Sequence, residues 1–204
     1  MKTVEELARE IVQREGGFVD DRDDPGGATN WGVTIGTMKA LGIDLNKDGR
    51  VDVADVKALQ FQQAVDLFVN EYFYRPKLNV LPEELQPSVF DMQVNSGSSA
   101  VRILQQVLVA QGFDVAADGA MGPQTLKAIT AWAKQVSPGS MRNAYGVARR
   151  NYYYRLADGR PASRKYVRRR DGGKGGWITR AEEFMDPAFR LSDAEHRARC
   201  SQWQ

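Results

Sequence analysis

Apolar residues recur at three- and four-residue spacing along most of this chain, while the alternation that marks strands is weak throughout. That pattern restricts the fold to a mainly α class. Residues 3–14 carry it most plainly: Val4, Leu7, Ala8, Ile11 and Val12 share one helical face. Thr3 with Glu6 forms a capping-box pattern, and Gly16-Gly17 stops the helix. The same reading places helices over 53–74, after Pro82 through Val94, and over 98–111, 122–136, 138–156, 177–185 and 192–201. Residues 18–37 are rich in Asp, Gly and Thr and read as a long loop or short hairpin. Residues 158–176, crowded with Gly and Arg, read as a mobile loop.

At 204 residues the chain is long enough for one or two compact domains with a real core. Its 42% hydrophobic and 26% charged content is that of an ordinary globular protein, not a disordered one. No stretch approaches the ~18–20 uninterrupted apolar residues of a membrane span, so stable membrane insertion is not expected. Glu5, Glu6, Arg9, Glu10 and Arg14 leave no apolar core for an export signal near the N-terminus. The lone Cys200 excludes an internal disulfide and a Cys-based zinc site. The single His196 argues against a His-rich metal site or a His-based triad. Chemistry is left mainly to carboxylates, hydroxyls and amides.

The net charge of +2 names no partner, but it hides an asymmetry. Residues 1–95 hold 10 basic and 17 acidic side chains, whereas 142–180 hold 12 basic and two acidic. A basic, tyrosine-rich segment can contact nucleic acid, an anionic polymer, or the acidic half of its own chain. No groove-reading motif accompanies it, so nucleic acid is not the expected partner.

Glu15 stands at the end of the first helix, directly before two glycines. The helix dipole is negative there, which disfavours a second negative charge and suits a carboxyl that must stay protonated as a general acid. The alternative is a solvated helix-end glutamate. The surrounding string is Glu15-Gly16-Gly17-Phe18, then Asp24-Pro25-Gly26-Gly27-Ala28-Thr29-Asn30-Trp31-Gly32-Val33-Thr34. This ordered string resembles the signature of the glycoside hydrolase family 108 muramidases, within the lysozyme-like superfamily. The resemblance implies a lysozyme-like helical fold with a small loop or β-hairpin near the catalytic glutamate. It also implies an endolysin-type N-acetylmuramidase that cuts the peptidoglycan glycan by general acid catalysis. Glu15 would be the acid, Asp24 would stabilise positive charge or activate water, and Thr29 would position that water. Asp20, Asp21 and Asp23 compete with Asp24, which is also a natural turn residue before Pro25-Gly26. Trp31 either lines a sugar subsite or packs in the core.

Asp44 to Asp55 resembles an EF-hand calcium loop. Oxygen-bearing Asp44, Asn46, Asp48, Asp52 and Asp55 occupy positions one, three, five, nine and twelve, with Gly49 at six. Arg50 stands at position seven, where the ligand is a backbone carbonyl. The expectation is a structural Ca2+ site, with no cofactor required for the chemistry. The alternative is an acidic loop that caps the following helix without metal.

Further along come Asp91 and Asn95, four residues apart on one helix face, then Leu104-Gln105, Asp118-Gly119, Gly122-Pro123 and Thr125. This later part resembles a small helical peptidoglycan-binding module. Tyr152 and its neighbours, Lys165-Tyr166 and Trp177 to Arg180 resemble the C-terminal part of family 108 proteins. The basic insert from Arg168 to Gly175 departs from that pattern. Asp91, Asn95 and Tyr152 are therefore substrate-binding candidates, although Asp91 and Asn95 equally suit a buried capping network. The expected organisation is a catalytic region over 1–95, a helical peptidoglycan-binding region over 96–185 and a C-terminal helix over 186–204. The expected protein is a monomer made in the bacterial host cytoplasm without a signal peptide, acting on the wall after release. A non-catalytic wall-binding protein and a lytic transglycosylase are the competing readings.

Overall fold

The computed structural model describes residues 2–20 and 27–203. The chain packs as two compact units, Lys2–Arg75 and a second from Pro76 onward. By packing, the division falls after Arg75, ahead of the boundary at 95 read from sequence.

The first unit is built on α1 (Val4–Glu15), whose N-terminus is closed by the Thr3/Glu6 capping box. Leu7, Ala8, Ile11 and Val12 are buried, on the face that packs against α4 (Phe61–Val69). Burial of Leu7, Ile11 and Val12 contributes ~1.5–3 kcal/mol each relative to exposure, and the smaller Ala8 less. A two-stranded antiparallel hairpin pairs β1 (Thr29–Asn30) with β2 (Val33–Thr34). Its two-residue turn, Trp31-Gly32, has φ of 53° and 78°. Both are left-handed, as the twist of a tight hairpin requires. α2 (Ile35–Leu41) follows, capped by the Thr34 hydroxyl and closed by left-handed Gly42.

The single helix expected over 53–74 is in fact α3 (Val53–Ala58), α4, and a π-helical turn over Asn70–Tyr74. The break falls at Leu59, which is extended, and Gln60, which starts α4 through a capping box with Gln63. Buried Asn30 holds it open. Its Nδ2 donates to the carbonyls of Val56 (2.9 Å) and Leu59 (3.2 Å), so the hairpin takes up carbonyls left by the helix end.

The second unit holds α5 (Gln86–Ser96), α6 (Ser99–Ala110), α7 (Pro123–Ala133), α8 (Pro138–Gly159), α9 (Arg164–Val167), α10 (Gly176–Glu183) and α11 (Asp193–Cys200). α8 is central, packing against α5, α6, α9 and α10. It buries Tyr145, Arg149, Tyr153 and Tyr154. The loop expected over 158–176 contains α9, a short 3-10 turn at Pro161–Ser163, and an antiparallel bridge between Arg168 and Lys174. The region from 186 onward is a 3-10 turn at Pro187–Phe189 followed by α11, not one helix. Among the described residues, no helix is long and apolar enough to cross a membrane.

Candidate active site

α1 ends because Gly16 leaves helical geometry at φ 82°, ψ −177°. The Gly16 carbonyl accepts a hydrogen bond from the Trp31 backbone N–H at 2.9 Å. Three residues on, Val19 and Thr29 exchange backbone hydrogen bonds of 2.8 Å each. The segment leaving α1 is thus stitched to the hairpin, which brings Glu15, Thr29 and Trp31 to one place.

Gly32 makes this arrangement sterically specific. A Cβ at that position would lie 2.8 Å from Glu15 Cγ, 3.0 Å from Glu15 Cβ and 3.2 Å from Phe68 Cζ. The Glu15 side chain therefore runs across the bare face of the turn, while remaining exposed to solvent. Only glycine gives both that clearance and φ of 78° without strain. In the sequence Gly32 and Asn30 stand only as members of the motif, without roles of their own. The Asn-Trp-Gly turn was the available signal. A Gly32→Ala variant is expected to remain folded and lose about 10²-fold in turnover, since displacing a reacting group by ~1 Å costs that much. Wall turbidity assays beside circular dichroism check this, and undiminished lysis would remove Gly32 from the site.

Trp31 is half-buried, edge-on to Phe61 with ring centroids 5.3 Å apart and an interplanar angle of 80°. Asp24, with Asp21 and Asp23, lies outside the described residues.

The acidic loop spends its oxygens on its own backbone. Asp44 accepts from the N–H groups of Lys47 (2.6 Å) and Gly49 (2.8 Å), and Asp48 accepts from Arg50 N–H (2.9 Å). Asn46 bonds to Asp48 through both backbone and side chain, and Asp52 caps α3 at Ala54 N–H. Asp55 accepts from the N–H groups of Leu45, Asn46 and Asp52 at 2.8, 3.1 and 2.9 Å. The Asp52 N–H foremost, with those of Asn46 and Leu45, holds the Asp55 carboxyl below its ordinary range against the opposing effect of burial. Among the described residues, no three His, Cys, Asp or Glu side chains converge to hold a metal. In this arrangement Asp52 and Asp55 cap the following helix, and the other loop carboxylates hold its turn. Asp55→Asn is therefore expected to lower the melting temperature with and without calcium. A calcium-dependent rise that disappears in Asp44→Ala/Asp48→Ala would instead mean that the loop rearranges around the metal.

In the second unit, Asp91 is buried and both its oxygens are taken. Arg149 Nη2 donates to Oδ2 at 2.5 Å, and Arg180 Nε donates to Oδ1 and Oδ2 at 2.7 and 2.9 Å. Burial alone would push the Asp91 carboxyl up, but the two guanidiniums outweigh it and hold it below the usual range. This corrects the substrate-binding assignment of Asp91: it belongs to the buried network, because each of its oxygens already has a cationic partner. Asn95 is exposed at the end of α5 and accepts from Ser96 Oγ at 3.1 Å. Tyr152 is half-buried and donates to Ser99 Oγ at 3.3 Å.

The Leu-Gln and Asp-Gly signature is also a hydrogen-bond network. Gln105, fully buried, donates to Asp118 Oδ1 (2.8 Å), the Ala120 carbonyl (3.0 Å) and Thr125 Oγ1 (3.1 Å). Its Oε1 accepts from Gly119 N–H at 2.8 Å. Gly119 sits at φ 84°, where a Cβ would meet the Ser98 carbonyl at 2.9 Å. These residues fix the turn between α6 and α7.

Together these features define a mainly α, lysozyme-like protein whose exposed glutamate is carried at the end of the first helix over a small hairpin. Residues 8–97 match the Glycosyl hydrolase 108 family, and 99–182 match the Predicted Peptidoglycan domain. The chain thus joins a glycosyl hydrolase 108 domain to a predicted peptidoglycan domain. Among solved structures, Brucella abortus SagA is similar over 96% of this chain and 94% of its own, with 26% identity and a TM-score of 0.58. No curated protein sequence gives a significant match. Glycosidase chemistry and peptidoglycan as the polymer contacted follow from the two domains.

Proposed function

We propose that this protein is a lysozyme-type peptidoglycan hydrolase that cleaves the β-1,4 bond between N-acetylmuramic acid and N-acetylglucosamine. The observation that carries this reading is the seating of the Glu15 side chain across Gly32, exposed and fixed at its base by the α1–hairpin junction. Glu15 gives its proton to the glycosidic oxygen as the bond to the sugar carbon breaks. Asp24 supplies the second carboxylate, stabilising the cationic sugar or activating the water that replaces the leaving group. Thr29, on the strand paired to Val19, positions that water. The assignments of Asp24 and Thr29 rest on the family resemblance.

Mass spectrometry of digested, purified peptidoglycan tests the proposal. Fragments ending in reducing N-acetylmuramic acid are the expected products. Anhydro-sugar ends would make the protein a transglycosylase, and intact glycan that still pellets the protein would make it a wall-binding protein.

A further inference from the structure

Half of the basic side chains in 142–180 are paired with carboxylates of their own unit. Arg149 and Arg180 hold Asp91, Arg150 and Lys174 hold Glu182, Arg142 holds Asp186, and Arg169 holds Asp171. Arg168, Arg170 and Arg197 are exposed and enter none of these pairs. All three line one cavity of about 450 Å³, a size usual for small-ligand sites.

One wall is the turn bridged by Arg168 and Lys174. It is held by Arg169 N–H to the Gly173 carbonyl at 2.8 Å and Gly172 N–H to the Arg169 carbonyl at 3.0 Å. Its one carboxylate, Asp171, is already spent on Gly173 N–H (2.9 Å) and the Arg169 guanidinium (2.8 Å). The other wall is the last turn of α11, with Arg197 and Ser201, and then Trp203. Arg197 Nε would lie 3.8 Å from a Cβ on Gly172, so the two walls meet at that point. Trp203 is anchored by its indole N–H to Asp158 Oδ1 at 2.8 Å, and Arg168 Nη1 reaches the Trp203 carbonyl at 3.5 Å.

Three guanidiniums sharing a cavity repel one another unless a counter-charge sits between them. A carboxylate presents two coplanar oxygens, which one guanidinium fork satisfies. A phosphate presents oxygens in several directions and up to two charges, which suits three arginines arriving from opposite walls. We propose that this cavity is a binding site for a phosphate group. It is built wholly from the second unit, and its α11 wall falls beyond residue 182, where the peptidoglycan-domain match ends.

Titration calorimetry and thermal melts of the full chain with inorganic pyrophosphate test the proposal, with acetate at equal ionic strength as control. One-site binding and a raised melting temperature are expected with pyrophosphate, and neither with acetate. In Arg170→Gln/Arg197→Gln the affinity falls at least about tenfold, which is ~1.4 kcal/mol. Cleavage of a short soluble glycan by this variant stays unchanged. Its unliganded melting temperature also stays unchanged, since both side chains are exposed. Co-sedimentation with phosphatidylglycerol but not phosphatidylcholine vesicles, lost in the variant, identifies a lipid headgroup as the source. Pyrophosphate binding without vesicle binding identifies a soluble or polymer-borne phosphate. Equal response to acetate, equal affinity in variant and parent, or no binding to either probe overturns the site.

Discussion

Glu15→Gln is expected to abolish measurable wall lysis, by about 10²- to 10⁴-fold, while leaving the melting curve where it was. The amide matches the carboxyl in shape, and the side chain is exposed, so the fold has little reason to respond. What changes is that an amide does not donate the leaving-group proton. Turbidity loss of purified walls, followed by product analysis, reads the effect directly. Near-normal turnover by a folded Glu15→Gln protein would falsify the assignment of the acid. Asp24→Asn and Thr29→Ala should lose activity less completely, and Asp24→Asn should cost more than the same change at Asp20, Asp21 or Asp23.

The second large effect is on stability. Asp91→Ala leaves two guanidiniums without their shared carboxylate, one of them, Arg149, fully buried. Removing one partner of a buried ion pair costs ~3–5 kcal/mol, because the remaining charge keeps its desolvation penalty and loses its compensation. Denaturant unfolding monitored on the second unit's tyrosines measures this. Adding Arg149→Met should recover part of the loss, since the fully buried charge is then gone; no recovery would mean that Asp91 acts through packing alone. The pH dependence has a definite sign. The Asp91 carboxyl is held below its unfolded value of about 3.9, so the unfolded chain binds more protons in that range. Its stabilisation is therefore complete above that value and disappears as pH falls through the lower folded-state value. The Asp91→Ala protein should lack that part of the acid dependence.

Local signals were enough where the physics is local. The α1 start was legible because Thr3 and Glu6 close a capping box with atoms only three residues apart. The same is true of α11, where Ser192 and Glu195 do the same. The hairpin region was marked by its Asp, Gly and Thr content, and the order of Glu15, Thr29 and Trp31 carried the family resemblance. The wider apolar periodicity made the chain mainly α.

Other features depend on partners the local pattern does not contain. The break between α3 and α4 is held by Asn30, which is 26 and 29 residues from the carbonyls it caps. Asp91 and Asn95 share a helix, and spacing alone allows both to face a ligand. Only the arrival of Arg149 and Arg180, 58 and 89 residues away, buries one and leaves the other exposed. Likewise, a run of arginines reads as one basic surface until packing shows which of them have met carboxylates. The sequence by itself determined the helical class, the helix caps and the identity of the acidic candidate, because propensity and short-range hydrogen bonds act within a few residues. Tertiary structure alone decided that Glu15 lies across Gly32, that Asp91 is structural and that Arg168, Arg170 and Arg197 line one cavity. Those outcomes depend on which distant groups become neighbours, and a charge or hydroxyl has no fixed role until its partners are in place.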